Sequence, residues 1–162
     1  MILTPPDEAS LGHPPHRLSR VTVADELQGT IVELIDLTLL GKQLSWSATG
    51  PRASAVRRML EELVVRLRIH TDEVAARMLE LGHLPNGQSR AVAIETDLTP
   101  LPPGRLDAEG ASAALMERIE QVRTRLVRTR QTTVSDATST ELLANIHDEL
   151  LAVDVSPAGL SD

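Results

Sequence analysis

Apolar residues recur at helical spacing in four stretches of this chain, and a proline-rich connector divides them two and two. Leu27, Ile31, Leu34, Ile35 and Leu39 form the first stripe, and Val56, Leu60, Leu63, Leu67, Val74, Met78 and Leu81 the second. After the connector come Ala111, Leu115, Ile119, Val122 and Leu126, then Leu142, Leu143, Ile146 and Leu150. The connector runs from His83 to Leu106, with a short helix expected at Arg90–Ile94 and a stiff Leu98-Thr99-Pro100-Leu101-Pro102-Pro103-Gly104 segment. Connections of that length are uncommon in compact domains. A four-helix bundle with one crossover between its second and third helices accommodates it, because the chain must travel the length of the bundle before turning back.

Local signals set the expected limits. The first helix should begin near Thr22, with Asp25 and Glu26 at the positive end of its dipole, and stop at Gly50-Pro51. The second should span Arg52 to Leu81 and stop at Gly82, the third should start at the capping residue Asp107 with Glu109 behind it, and the fourth should run from about Thr140 to Val153. Thr132 to Ser139 reads as a polar break. Residues 1–20, with Pro5, Pro6, Gly12, Pro14 and Pro15, and residues 154–162 read as tails around a domain at 21–153.

The chain has one Trp, no Phe and no Tyr, so its core must be aliphatic, which suits interdigitated helices better than an aromatic-rich sandwich. The absence of Cys removes disulfides and thiolate metal sites and fits a reducing compartment. Neither a signal-like start nor a membrane-length apolar run is present, so a cytoplasmic protein with no membrane partner is expected. A net charge of −7 works against binding phosphate backbones, and Arg17 and Arg20 in the N-terminal tail are balanced by Asp7 and Glu8. DNA is therefore an unfavoured partner.

Lys42-Gln43-Leu44-Ser45-Trp46-Ser47-Ala48-Thr49-Gly50-Pro51, followed by Asp72-Glu73-Val74-Ala75-Ala76-Arg77 on the next helix, resembles the Dps-type mini-ferritins. Their first helix ends in a Lys-x-x-His-Trp-Asn-x-x-Gly-Pro signature. The likeness covers about residues 20–153 and implies an all-α, ferritin-like four-helix bundle assembled as a hollow dodecamer for iron storage or stress protection. In that family, iron is bound between subunits by the signature His, a second His twelve residues on, and an Asp and a Glu four apart. Those places are held here by Ser45, Arg57, Asp72 and Ala76, so only the Asp is retained. Arg57 cannot coordinate a metal and Ala76 offers no donor, which implies a degenerate ferroxidase centre, with iron as the candidate metal. Arg57 is expected either to pair with Asp72 of a two-fold partner or to point into solvent. Two further readings are a non-catalytic structural subunit that co-assembles with an active paralogue, and a DNA-binding protein.

Other residues could carry a relocated site. His70 and Glu73 share a helical face, with Asp72 beside them, and together they form the candidate metal group; His70 could equally be a buried polar residue at the bundle seam. Glu80 and His83 have the same spacing, but Gly82 intervenes. Glu61 and Glu62 fall where mini-ferritins carry cavity-facing acids, or form an ordinary solvated face. Asp136 and Glu141 fall where the family lines its pores, or serve as a turn residue and a first-turn dipole partner. Trp46 is expected to pack, and Lys42 to lay its aliphatic stem along the helix.

Overall fold

The computed structural model describes residues 16–154. Its elements are α1 (His16–Ser47), α2 (Ala53–Glu80), α3 (Ser89–Glu95), α4 (Ala108–Thr132) and α5 (Ala137–Leu151). The four long helices form the expected ferritin-like bundle, α1 packing against both α2 and α4 and α4 against α5, while α3 lies on α1. The core is aliphatic: Leu27, Ile31, Leu34 and Leu37 of α1 meet Leu60, Leu63 and Leu67 of α2, Leu115, Ile119 and Leu126 of α4, and Leu143 and Ile146 of α5, all fully buried. Each such side chain contributes roughly 1.5–3 kcal/mol through removal from water.

Several expectations need correction. α1 starts at His16 rather than near Thr22, because Pro15 is the last breaker and His16 to Val21 contains none. Residues 16–20 of the expected tail are thus helix, and the rest of that tail, like 155–162, lies outside the described residues. α5 starts at Ala137 rather than Thr140, since Asp136 caps it by accepting from Ser139 N–H at 3.2 Å. Leu39, placed in the α1 stripe from its spacing, is 56% exposed, and Trp46, expected to pack, is 71% exposed.

The turns are built as the sequence signals require. Gly82 has φ +83°, its N–H bonds Leu79 O and the His83 N–H bonds Met78 O, a paired C-terminal closure that a side chain at Gly82 would strain. Asp107 caps α4 by accepting from Gly110 N–H at 2.8 Å. The crossover is clipped at its return: Thr49 N–H bonds Leu106 O and Leu106 N–H bonds Ser47 O, tying the end of α1 to the approach of α4. Arg118 pins its middle. That side chain is 3% exposed and donates to Thr99 O, Pro100 O and Ala114 O, with Glu117 as its ion-pair partner.

Candidate functional site

Ser45 lies near the end of α1 with its residue buried, and Arg57 lies one turn into α2. Arg57 Nε donates to Ser45 O at 3.2 Å and Nη2 to Ala48 O at 2.8 Å. Its guanidinium therefore closes the C-terminus of α1, where carbonyls lack helical donors and the dipole favours a cation. Asp72 and Ala76 are exposed further along α2. Fifteen residues of helix separate Arg57 from Asp72, about 22 Å of rise, so one chain does not bring the two together. Asp72 borders a 330 Å³ groove with Ile35, Thr38, Leu39, Arg68 and Thr71. Arg57→Ala should cost about 1 kcal/mol in urea unfolding, because two carbonyls lose a charged donor at a solvated position. Faster amide exchange confined to the last turn of α1 would identify the cause.

His70 and Glu73 do meet. His70, 5% exposed, has Nδ1 3.0 Å from Glu73 Oε2 and Nε2 3.1 Å from Glu149 Oε2 on α5. The third group of this cluster is thus Glu149, which sequence reading missed, and Asp72 is not part of it. Glu149 directly precedes the buried Leu150, three residues after Ile146, so it rides the edge of the α5 stripe toward α2. No group of three or more His, Asp or Glu is arranged to hold a metal ion among the described residues. Glu61 and Glu62 are adjacent and exposed on α2. Lys42 is half-buried on α1, Gly50 takes φ +88° in the turn after it, and His83 follows the Gly82 closure.

Asp136 is more engaged than a pore-lining reading requires. Arg77 Nη2 donates to both its oxygens, at 2.9 and 2.8 Å, Arg77 Nε to Ser139 Oγ at 3.0 Å, and Arg77 Nη1 to Glu80 at 2.7 Å. Ser139 adds its own O–H to Asp136 at 2.9 Å. Burial alone would raise the Asp136 carboxyl, but the Arg77 guanidinium and the two Ser139 donors outweigh it and hold the group below its ordinary value. Glu141 is exposed and lies beyond the first turn of α5, so the dipole role expected for it does not apply.

A second engaged carboxylate lies within the bundle. Glu33 of α1 is 2% exposed, and Arg125 of α4 donates to its Oε1 at 2.6 Å while reaching Asp97 of the crossover at 3.2 Å. The approach depends on Gly29, where a Cβ would stand 2.7 Å from Arg125 Nη1. Burial pushes the Glu33 carboxyl up despite its hydrogen bond and charge pairing with Arg125. An acid next to Leu34 in the α1 stripe was the available sequence signal. Large apolar side chains stand exposed elsewhere: Leu39 and Trp46, two turns apart on α1, and Val65 and Ile69, one turn apart on α2.

Comparison with known proteins agrees with this architecture. The family profile described as a ferritin-like domain matches residues 24–151. The DNA protection during starvation protein of Agrobacterium fabrum is 32% identical over 104 residues, 64% of each chain. The fine tangled pili major subunit of Haemophilus ducreyi is 39% identical over 88 residues, 54% of this chain and 46% of that one. The chain therefore aligns with about half to two thirds of the length of these curated relatives. Among solved structures, Mycobacterium smegmatis Dps in a tetragonal form has a TM-score of 0.80 at 27% identity, covering 88% of both chains. Deinococcus radiodurans Dps92 has a TM-score of 0.79 at 23% identity over 83% of this chain and 82% of its own, a likeness of fold. With the bundle, the single crossover and the Lys42–Pro51 signature already in place, the chain belongs to the ferritin-like family, as a Dps-type mini-ferritin.

Proposed function

We propose that this chain forms a closed shell of its own copies, a dodecamer in the cytoplasm, that holds iron or shields the cell under stress without oxidising iron at the family's intersubunit centre. The observation carrying this reading is the seat of Arg57. Its guanidinium closes α1 at a place where the resemblance puts a metal-binding His, and Ser45 and Ala76 offer no replacement. Asp72 stays exposed on α2, and pairing with Arg57 of a neighbouring copy would use Nη1, which neither α1 carbonyl engages. Glu61 and Glu62 are the proposed ferric nucleation residues. Because Arg77 neutralises Asp136, Glu141 would supply the exposed charge of a pore. The relocated metal site expected at His70, Asp72 and Glu73 would need rearrangement, because His70 bonds Glu73 and Glu149 and no such trio among the described residues is arranged to hold a metal ion. No helix among the described residues is long and apolar enough to cross a membrane.

Anaerobic addition of Fe(II) to the apo-protein, followed by air or peroxide, tests the proposal. Oxidation is expected at the buffer rate, with ferric iron supplied afterwards retained in the shell fraction on size exclusion. Rapid oxidation with iron co-eluting would overturn it and direct attention to His70, Glu73 and Glu149. The exposed Asp72 favours one other reading, a mixed two-fold in which a paralogue's two His face it. Co-purification with a second mini-ferritin is the readout for that arrangement. The net charge of −7 argues against a DNA-condensing role, and absence of a duplex mobility shift at low salt is the corresponding expectation.

A further inference from the structure

Asn86 and Gly87 stand side by side, both exposed, where the crossover leaves the Gly82 closure and turns toward α3. Gln28 of α1 holds this point through the main chain of Asn86. Its Nε2 donates to Asn86 O and its Oε1 accepts from Asn86 N–H, both at 2.9 Å. Glycine suits the close approach that follows: a Cβ at Gly87 would stand 3.0 Å from Ile35 Cδ1, so a side chain there would push Ile35 of α1 aside. Packing therefore favours, directly after the asparagine, the one residue with no side chain to shield its amide nitrogen.

The Asn86 side chain takes no part in the Gln28 clamp. It folds forward over the next peptide unit, Oδ1 accepting from Gln88 N–H at 3.2 Å in an Asx-type turn. Gly87 N–H lies between them and makes no hydrogen bond among the described residues, so nothing holds its nitrogen away from Asn86 Cγ. Gln88 N–H meets the oxygen on which negative charge gathers when Cγ is attacked, a placement that lowers the barrier to acyl transfer. Nucleophile and carbonyl belong to adjacent residues, so a five-membered ring closes without the entropy loss of a bimolecular encounter. Asn145, the chain's other asparagine, provides the contrast. It is also exposed, but it lies within α5, where the following N–H belongs to the helix ladder and Ile146 is buried and branched at Cβ.

We propose that Asn86 is a site of self-modification, converting in the folded protein to isoaspartate through a succinimide. Gly87 N gives its proton to hydroxide and bonds to Asn86 Cγ. The Cγ–Nδ2 bond then breaks, and the amide leaves as ammonia with a proton taken from water. Water next adds to either ring carbonyl. Opening at the original main-chain carbonyl leaves the chain running through Cβ and Cγ, one atom longer, with a carboxylate where Asn86 O stood; opening at Cγ gives aspartate. Either product carries one new negative charge. In the isoaspartyl form Gln28 Nε2 faces a carboxylate in place of a carbonyl, a stronger acceptor, so the clamp to α1 persists. Peptide mapping by mass spectrometry of the assembled full-length chain, held at neutral and at mildly alkaline pH, tests the proposal. A gain of one mass unit confined to the peptide containing Asn86 is expected, faster at the higher pH, with isoaspartate detected by enzymatic carboxyl methylation. Asn145 should keep its mass. Asn86→Gln leaves both Gln28 bonds in place, because they use main-chain atoms, and should abolish the conversion, since closing the larger ring is far slower. Unchanged Asn86 in the folded chain, equal conversion at Asn145, aspartate without isoaspartate, a rate indifferent to pH, or conversion persisting in the Asn86→Gln chain would each overturn the proposal.

Discussion

Trp46→Glu should break the assembly into smaller species while leaving the subunit folded. Trp46 is 71% exposed and Leu39, two turns before it, is 56% exposed. Val65 and Ile69 add exposed apolar surface on α2, and the groove shared by Leu39, Arg68 and Asp72 joins the two helices on this side. Four large apolar side chains exposed on two packed helices are a feature expected of a surface that associates. Tryptophan at the centre of an interface costs about 2 kcal/mol or more when truncated, and a two-fold contact counts each substitution twice. About 4 kcal/mol per contact, close to a thousandfold in dissociation constant, is therefore expected. Light scattering after size exclusion over a dilution series reads it, with Trp46→Phe expected to keep the parent mass. A Trp46→Glu protein that stayed at the parent mass on dilution would remove this face from the assembly. Unchanged helical circular dichroism is expected throughout, because Trp46 contributes nothing to the core of the subunit.

The same residue shows where sequence reading stops. Spacing identifies which helical positions are apolar, and for Leu27, Leu63, Ile119 or Ile146 that equals burial in the bundle. For Leu39 and Trp46 it does not, because an apolar position on an exposed face has the same period as one turned toward the core. The helices, the crossover and the caps at Asp107 and Gly82 were legible because each rests on a local signal within a few residues. Partnerships between distant elements were not. Arg77 with Asp136, Arg125 with Glu33, Arg118 with the crossover carbonyls and His70 with Glu149 join residues far apart in the chain. Nothing in the spacing of one helix specifies which charge on another will face it. Of the candidate site, the departure of Ser45, Arg57 and Ala76 from the signature was legible only as a resemblance; the capping of α1 by Arg57 needed coordinates.

Arg77→Ala should destabilise the subunit by about 2 kcal/mol, between the values for a solvated and a fully buried ion pair, since both side chains are half-buried. Two bonds to Asp136 and one to Ser139 Oγ are lost together, and with them the tie between the end of α2 and the start of α5. The Glu80 contact adds little, because that carboxylate is 63% exposed. Asp136 would keep the Ser139 donors but face its burial without a counter-charge. The pH dependence separates this loss from a general packing defect. In the folded protein Asp136 titrates below its unfolded value of about 3.9. The unfolded chain therefore takes up the proton first as pH falls. The stabilisation from the pair is present above about pH 4 and disappears as pH drops through the folded value. Glu33, shifted upward by burial, works in the opposite sense: its contribution is complete below its unfolded value and is lost as pH rises through its folded one. That contribution cancels when variant and parent are compared at each pH. Urea unfolding at fixed protein concentration should show a wide gap between the two proteins at pH 7 that narrows progressively as pH falls below about 4. A gap under about 1 kcal/mol at pH 7, the ordinary value for a solvated pair, would mean that Arg77 and Asp136 do not fasten the two helices.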